Sequence, residues 1–393
     1  MPLVPPRWRG LALVMLTATL VGMTFSLTFP LLSLVLERAG CGPFTIGLNT
    51  AAGGLGIFVV APFIGRLARR FGAVGCFRGA LLVSAACMLI FPLRVDPWFW
   101  ALVRVVLSSA GALMFVMSEA AVNALAPEHL RGRVLGLYVT LFSLGFAGGP
   151  LVLVLAGSEG FVPFLLASAL FALGLIPAGM LHPVERALAP QDHAAGHRLV
   201  DTWRVAPIAM AGVFTYAVLE TASFALLPVY ALDAGMSERT AAALVSVWLS
   251  GNILLQYPIG WLADRWRRER VMALCAATAA LGQLLVPAAV GTSWLLWPLL
   301  VLLGGTMGGL YTLALILVGQ SFRGADLTNA NTAFVMTFQL GAITGPPYAG
   351  AVMGVAGTAS FPLALVAPPL LLTLPLLGRA VTARAARHPQ PDT

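Results

Sequence analysis

Apolar residues run through this chain in stretches of about 20 or more, broken by short segments carrying arginine, proline or glycine. Runs of that length indicate helices, because an element that crosses a bilayer must satisfy its own backbone hydrogen bonds. The pattern predicts helices near 10–36, 44–65, 73–93, 97–125, 132–157 and 160–181. After a polar stretch from His182 to Arg204, six more follow near 205–232, 238–263, 270–290, 293–320, 326–353 and 357–378. The first run is too long for the apolar core of a signal peptide, has no clear small-residue cleavage site and leads straight into further spans, so it reads as the first helix. The expected fold is an all-α integral membrane protein of twelve transmembrane helices. Residues 1–181 and 205–393 form two six-helix bundles, joined by a linker at 182–204.

Composition strengthens this picture. The 393 residues are 59% hydrophobic and 10% charged, whereas a soluble domain carries about a quarter charged residues. There is no lysine, since all 23 basic residues are arginine, and this excludes a Walker A ATPase and Schiff-base chemistry. The net charge of +8 reflects topology, and no nucleic-acid partner is expected. With the N-terminus in the cytoplasm, 19 arginines fall in inner segments and only Arg38, Arg94 and Arg239 in outer loops, with Arg104 inside a helix. That asymmetry puts both termini on the cytoplasmic side. Cys41, Cys76, Cys87 and Cys275 form no close-spaced pair, so neither a disulfide nor a metal framework is expected. No cofactor is implied, and a monomer is the default.

The halves echo each other. Gly65-Arg-Leu-Ala-Arg-Arg70 follows the second span and Gly260-Trp-Leu-Ala-Asp-Arg265 the eighth, an offset of 195 residues. Gly149-Pro150 and Gly345-Pro346 are 196 apart, each preceded four residues earlier by Gly145 or Gly341. Two echoes at nearly one spacing indicate a parallel six-plus-six repeat.

These residues resemble the major facilitator superfamily, whose mark is a G-x-L-a-D-R-x-G-R-R loop after the second helix with a weaker copy after the eighth. Gly65, Leu67, Arg70 and Gly72 fit the first copy, with Arg69 where the family has aspartate; Gly260, Leu262, Asp264 and Arg265 fit the second. Arg104 in Leu102-Val-Arg-Val is similar to the family's fourth-helix arginine motif, although its glycine comes late, at Gly111. Gly145-Phe-Ala-Gly-Gly149-Pro150 is similar to the antiporter motif without its closing glycine pair. Together with Ser118–Asn123 ahead of Arg131-Gly-Arg133, the set resembles a bacterial branch of drug or metabolite:proton exporters. The resemblance implies gating latches at the arginine loops, with Asp264 beside Arg265 and Arg268; positive-inside anchoring explains the same arginines without gating. The Gly-Pro pairs either kink the fifth and eleventh spans and pack them against the other half, or serve ordinary small-residue packing.

Ionisable groups inside apolar helices cost about 2.5–3.5 kcal/mol to insert and so mark cavities or partners. Glu220 sits midway along the seventh span with Tyr216, Ser223 and Phe224 on its face. It is the leading proton-site candidate, the alternative being a structural acid paired to another helix. Glu119 lies about 22 Å from Arg104 along one helix, too far to pair with it. Two roles stand for Glu119: neutralising Arg66, Arg69 and Arg70, or binding a proton or substrate. Arg104, above a Trp98-Phe-Trp100 interfacial belt, needs an acceptor, which Ser108 or the Thr24, Ser26 and Thr28 hydroxyls can supply; structural satisfaction and an influence on a proton relay are both open. The family's cavity-lining helices place Phe25, Phe29, Met114, Phe115, Tyr216, Phe224 and Tyr311 there, a wall suited to lipophilic ligands or simply to helix packing. Asn252, Gln256 and Gln339 are further polar candidates.

The expected function is alternating-access secondary transport, with proton-coupled export of a small lipophilic or amphiphilic molecule ahead of a facilitator or importer. The chain's partners are then that substrate, protons and membrane lipid. All five histidines lie outside the apolar cores and no catalytic constellation is visible, so an enzyme is not expected. A non-transporting receptor or assembly factor on this scaffold is the reading from another class.

Overall fold

A computed structural model describes residues 6–181, 199–290, 293–323, 325–374 and 376. Among the described residues the regular structure is helical. The helices are α1 Pro6–Arg38, α2 Pro43–Val60, α3 Ile64–Ile90, α4 Pro97–Leu125, α5 Arg131–Ala156, α6 Val162–Gly179, α7 Leu199–Val205, α8 Pro207–Asp233, α9 Glu238–Arg265, α10 Arg268–Val290, α11 Ser293–Ser321, α12 Ala325–Ala356 and α13 Phe361–Ala364. Among the described residues nine stretches are long and apolar enough to cross a membrane, and one of these, the 51-residue Pro43–Leu93, holds two of the expected helices. The 32-residue α12 and the shorter apolar stretch Thr358–Leu374 complete the expected set of twelve. The linker residues 182–198 lie outside the described residues.

Chain breaks follow local chemistry. Proline opens α2 and α4, where its missing N–H costs nothing. Asp96 caps α4 by accepting from Phe99 N at 2.7 Å. Helix continues from Val60 through a 3-10 turn, Ala61–Phe63, into Ile64–Phe71, and the break comes at Gly72, whose φ of 72° suits glycine alone. The arginine motif at Gly65–Arg70 is therefore helical up to Gly72, and Gly260–Arg265 likewise forms the last turns of α9. The last span is interrupted, with α13 followed by a turn at Leu365 and Val366 before helix resumes at 367.

By packing, the chain forms two units, Met1–Ala194 with Phe224–Ser246, and Ala195–Ser223 with Val247–Thr393. In the first, α1 lies against α4, α5 and α6, and α3 against α4 and α6. Trp100, expected in an interfacial belt, is fully buried there: its indole donates to Phe91 O and Arg94 O at 2.9 and 2.8 Å and its ring meets Phe91 and Phe164. Trp98 is 67% exposed and keeps the belt position. At the C-terminal end of α1, Arg38 pairs with Glu238 at 3.2 Å and donates to Ser158 O, while Ser158 donates to Glu238. In the second unit α10 packs on α11, and the short α7 is tied to α12 by Trp203 Nε1 donating to Thr337 Oγ1 at 3.1 Å.

Each Gly-Pro motif sits against a helix of its own unit. A Cβ on Gly149 would fall 2.7 Å from Leu27 N and closer still to Ser26 Oγ and Met23 O, and one on Gly145 would meet Thr19 O. On α12, a Cβ on Gly341 or Gly345 would meet Phe214 O or Val218 O at 2.6 Å. Each pair lets its helix touch the backbone of a helix in its own unit, α5 on α1 and α12 on α8, and both helices run through their prolines.

Candidate functional site

In the second unit four of the predicted residues form one connected chain. Tyr216 and Glu220 stand one turn apart on α8, and the Tyr216 hydroxyl donates to Glu220 Oε1. Asn252 and Gln256, one turn apart on α9, extend the chain: Asn252 Nδ2 reaches the Tyr216 hydroxyl at 3.5 Å and Gln256 Nε2 donates to Asn252 Oδ1 at 2.7 Å. Thr312 on α11 completes it by donating to Gln256 Oε1 at 2.7 Å. Every bond donates in one direction, from Thr312 toward the Glu220 carboxylate, so the dipoles along it reinforce each other. Glu220, Asn252, Gln256 and Thr312 are half-buried, and Tyr216 is buried. Tyr311 and Phe338 close over Tyr216, with ring centroids 5.3 and 6.0 Å from it.

Glycine brings these helices close enough. A Cβ on Gly308 would collide with the Asn252 side-chain amide, on Gly304 with Trp248 O, and on Gly251 with Val301 O. The run Gly304-Gly-Thr-Met-Gly308-Gly309 ends three residues before Thr312, so α9 and α11 touch where the polar chain crosses between them. Sequence reasoning missed Thr312. The signal that finds it is that glycine run, since small residues every four positions mark the face of α11 that a neighbour approaches.

Other predicted residues lie elsewhere. Gln339 on α12 is half-buried and makes none of these bonds. Phe224 belongs to the first unit's packing, stacked on Phe29 at 5.2 Å and edge-on to Phe146 at 5.4 Å. Met114 is a core residue, while Phe115 is exposed and meets Phe142 at 5.9 Å. Glu119 is exposed and shares the Phe115 and Asn123 face of α4, away from the buried row of Met117, Ala121 and Leu125. Asp264 forms no ion pair with Arg265 or Arg268; Arg265 instead stacks on Trp261 at 3.6 Å, and Arg66 and Arg70 lie over Phe63 and Phe71. Arginines at these helix ends therefore lean on rings of their own helices.

Arg104 Nε and Nη2 reach none of the hydroxyls expected for them. Ser108 donates back to Arg104 O at 2.7 Å, and Thr24, Ser26 and Thr28 bond to carbonyls of α1 itself. The four cysteines are free, and no metal-holding group of histidine, cysteine and carboxylate residues occurs among the described residues.

The family model described as Major Facilitator Superfamily matches residues 14–247 and 208–392. Among similar proteins, the MFS-type transporter YfkF of Bacillus subtilis is 23% identical over 345 residues, covering 86% of this chain and 87% of its own. The MFS-type transporter YcaD of Salmonella typhi is 25% identical over 349 residues, covering 88% of this chain and 89% of its own. Among solved structures, the nucleoside transporter NupG superposes with a TM-score of 0.74 at 16% identity, covering 95% of this chain and 99% of its own. A bacterial homolog of the human lysosomal transporter Spinster, inward-facing and occupied, gives 0.73 at 13% identity, covering 99% of this chain and 100% of its own. The matched model spans nearly all twelve helices and both copies of the repeated motifs, and the chain belongs to the major facilitator superfamily of membrane transporters.

Proposed function

We propose that this transporter works by alternating access and exports a small lipophilic or amphiphilic molecule in exchange for protons, with Glu220 as the proton carrier. The observation that carries the reading is the one-way chain Thr312–Gln256–Asn252–Tyr216–Glu220. An ionised Glu220 can only accept, which fixes the direction of every bond. A protonated Glu220 can donate to the Tyr216 oxygen, and the amides then turn over to keep the chain satisfied. Protonation on α8 is thereby felt as a change of hydrogen-bonding character on α9 and α11, a physical route from proton to substrate. Half-burial leaves Glu220, Asn252, Gln256 and Thr312 accessible to a ligand, and the rings of Tyr216, Tyr311 and Phe338 offer it an apolar wall. Both termini belong on the cytoplasmic side by the arginine asymmetry, in the inner membrane of a bacterium.

A second reading is favoured by the same polar set. Two amides, two hydroxyls and a carboxylate beside stacked rings also suit a hydroxylated or heterocyclic metabolite, the kind of ligand named for NupG, taken up or equilibrated rather than exported. Flux in proteoliposomes under an imposed pH gradient, run with amphiphiles and with nucleosides, separates the two. The Thr312→Val variant adds a check on the chain. It removes one hydrogen bond while keeping the residue's shape, and pH-driven flux is expected to fall about 10-fold with unchanged melting temperature. Full flux in Thr312→Val would remove α11 from the mechanism.

A further inference from the structure

We infer that Arg104 is a binding site for an anionic group, so that the transported molecule is an organic anion with an apolar, ring-tolerant body. The inference deepens the transport reading above by naming the charge of its substrate. Arg104 lies inside α4 at 5% exposure, and its Nε and Nη2 are sealed from solvent with no hydrogen-bond partner. It forms no ion pair among the described residues. Asp96, the nearest acid on its own helix, is eight residues and about 12 Å away and is occupied in capping α4. At the C-terminal end of α1, the Glu238 carboxylate is taken by Arg38. The hydroxyls nearest in sequence and on α1 donate to carbonyls of their own helices, and none of them accepts from Nε or Nη2. A guanidinium stays charged, and its Nε and Nη2 donors form one edge of a planar fork that fits a carboxylate, sulfonate or phosphate two oxygens at a time.

The surroundings say what the rest of the ligand is like. The Arg104 guanidinium carbon sits 6.0 Å from the Phe29 ring centroid, and Phe29 is stacked on Phe224. Seven residues on, along the same face of α4, Gly111 leaves the space that the Phe25 ring fills. Phe25, Phe29, Ser108 and Gly111 are half-buried among buried neighbours, so this seam of α1 and α4 is partly open beside the sealed cation. A cation at membrane depth lined by rings and lacking a carboxylate is a receptor for a lipophilic anion.

Two measurements on the purified full chain test this. The first uses no ligand. If Arg104 has no protein partner, Arg104→Met removes an uncompensated buried charge and melts at or above the wild-type temperature; a melting temperature several degrees below wild type would mean that a protein partner was lost, and would overturn the inference. The second compares 2-naphthoate with the uncharged 2-naphthamide, in wild type, Arg104→Met and Arg104→Lys. Naphthoate is expected to bind wild type about 10-fold more tightly than naphthamide, a preference lost in Arg104→Met and kept in weaker form by Arg104→Lys. Equal binding of the two compounds by wild type, or an undiminished naphthoate preference in Arg104→Met, overturns the anion site. Wild-type flux of cationic or neutral probes with none of naphthoate would sink the anionic substrate and leave transport standing. Wild type without flux of any probe would count against transport, while the melting comparison still decides Arg104.

Discussion

Glu220→Gln is expected to abolish proton-driven flux while leaving the protein folded and able to bind substrate. Glutamine matches glutamate in shape, can accept from the Tyr216 hydroxyl as Glu220 does, and has no proton to exchange. Loss of a positioned proton-transfer group costs about 100-fold or more in rate, so flux against a gradient should fall to the leak of empty liposomes. Exchange of labelled for unlabelled substrate across a membrane without a pH difference needs no net proton movement and should survive. Calorimetry of substrate binding in two buffers of different ionisation enthalpy reads the same event at equilibrium: wild type releases protons on binding and Glu220→Gln does not. A variant that still drives uphill flux would show that the Glu220 carboxyl serves structure alone, held by Tyr216 as part of the packing of α8, α9 and α11.

Gly149→Val should prevent accumulation of folded protein. The added Cβ would stand 2.7 Å from Leu27 N and nearer still to Met23 O, both backbone atoms of α1, and neither can swing aside as a side chain would. Forcing extra methyl groups into a packed seam costs about 1–3 kcal/mol even where side chains can relax, and here two helix backbones must separate. Gly148→Ala next to it is the control, because nothing lies within 4 Å of the position its Cβ would take. Monodisperse yield and melting temperature after mild solubilisation are the readouts. Gly148→Ala should match wild type, and Gly149→Val should aggregate or melt many degrees lower. Gly345→Val is expected to repeat the defect in the second unit, where Val218 occupies the matching place. Equal behaviour of the two α5 variants would mean that the glycine seam does not hold α5 to α1.

The number and type of helices were legible because apolar run length alone answers the question a bilayer asks, and proline placed the start of α4 at residue 97. Ends were harder. Arg66, Leu67, Ala68, Arg69 and Arg70 are all good helix formers, so the backbone stays helical beyond the apolar run until Gly72 stops it. Glu220, Tyr216, Asn252 and Gln256 were visible as polar residues at one-turn spacing in apolar helices, and two such pairs on neighbouring helices meet. Thr312 was not visible, because a hydroxyl in a membrane helix ordinarily bonds its own backbone; what engages this one with Gln256 is the glycine contact between α9 and α11. Where the Thr24, Ser26 and Thr28 hydroxyls aim was equally hidden: each donates within α1, and Arg104 Nε and Nη2 reach none of them. The exposure of Glu119 was not legible either, as residence on the same helix as a buried face says nothing about which side a residue takes.

The most direct test of the central claim is proton movement in proteoliposomes of the wild-type chain under an imposed pH gradient, as substrates of both classes are added. The account predicts that addition of an accepted substrate dissipates the gradient, that the gradient in turn drives that substrate uphill, and that both signals vanish in Glu220→Gln. Substrate that equilibrates across the membrane with no change in the pH signal, equally in wild type and Glu220→Gln, would contradict proton coupling through Glu220 and leave a facilitator.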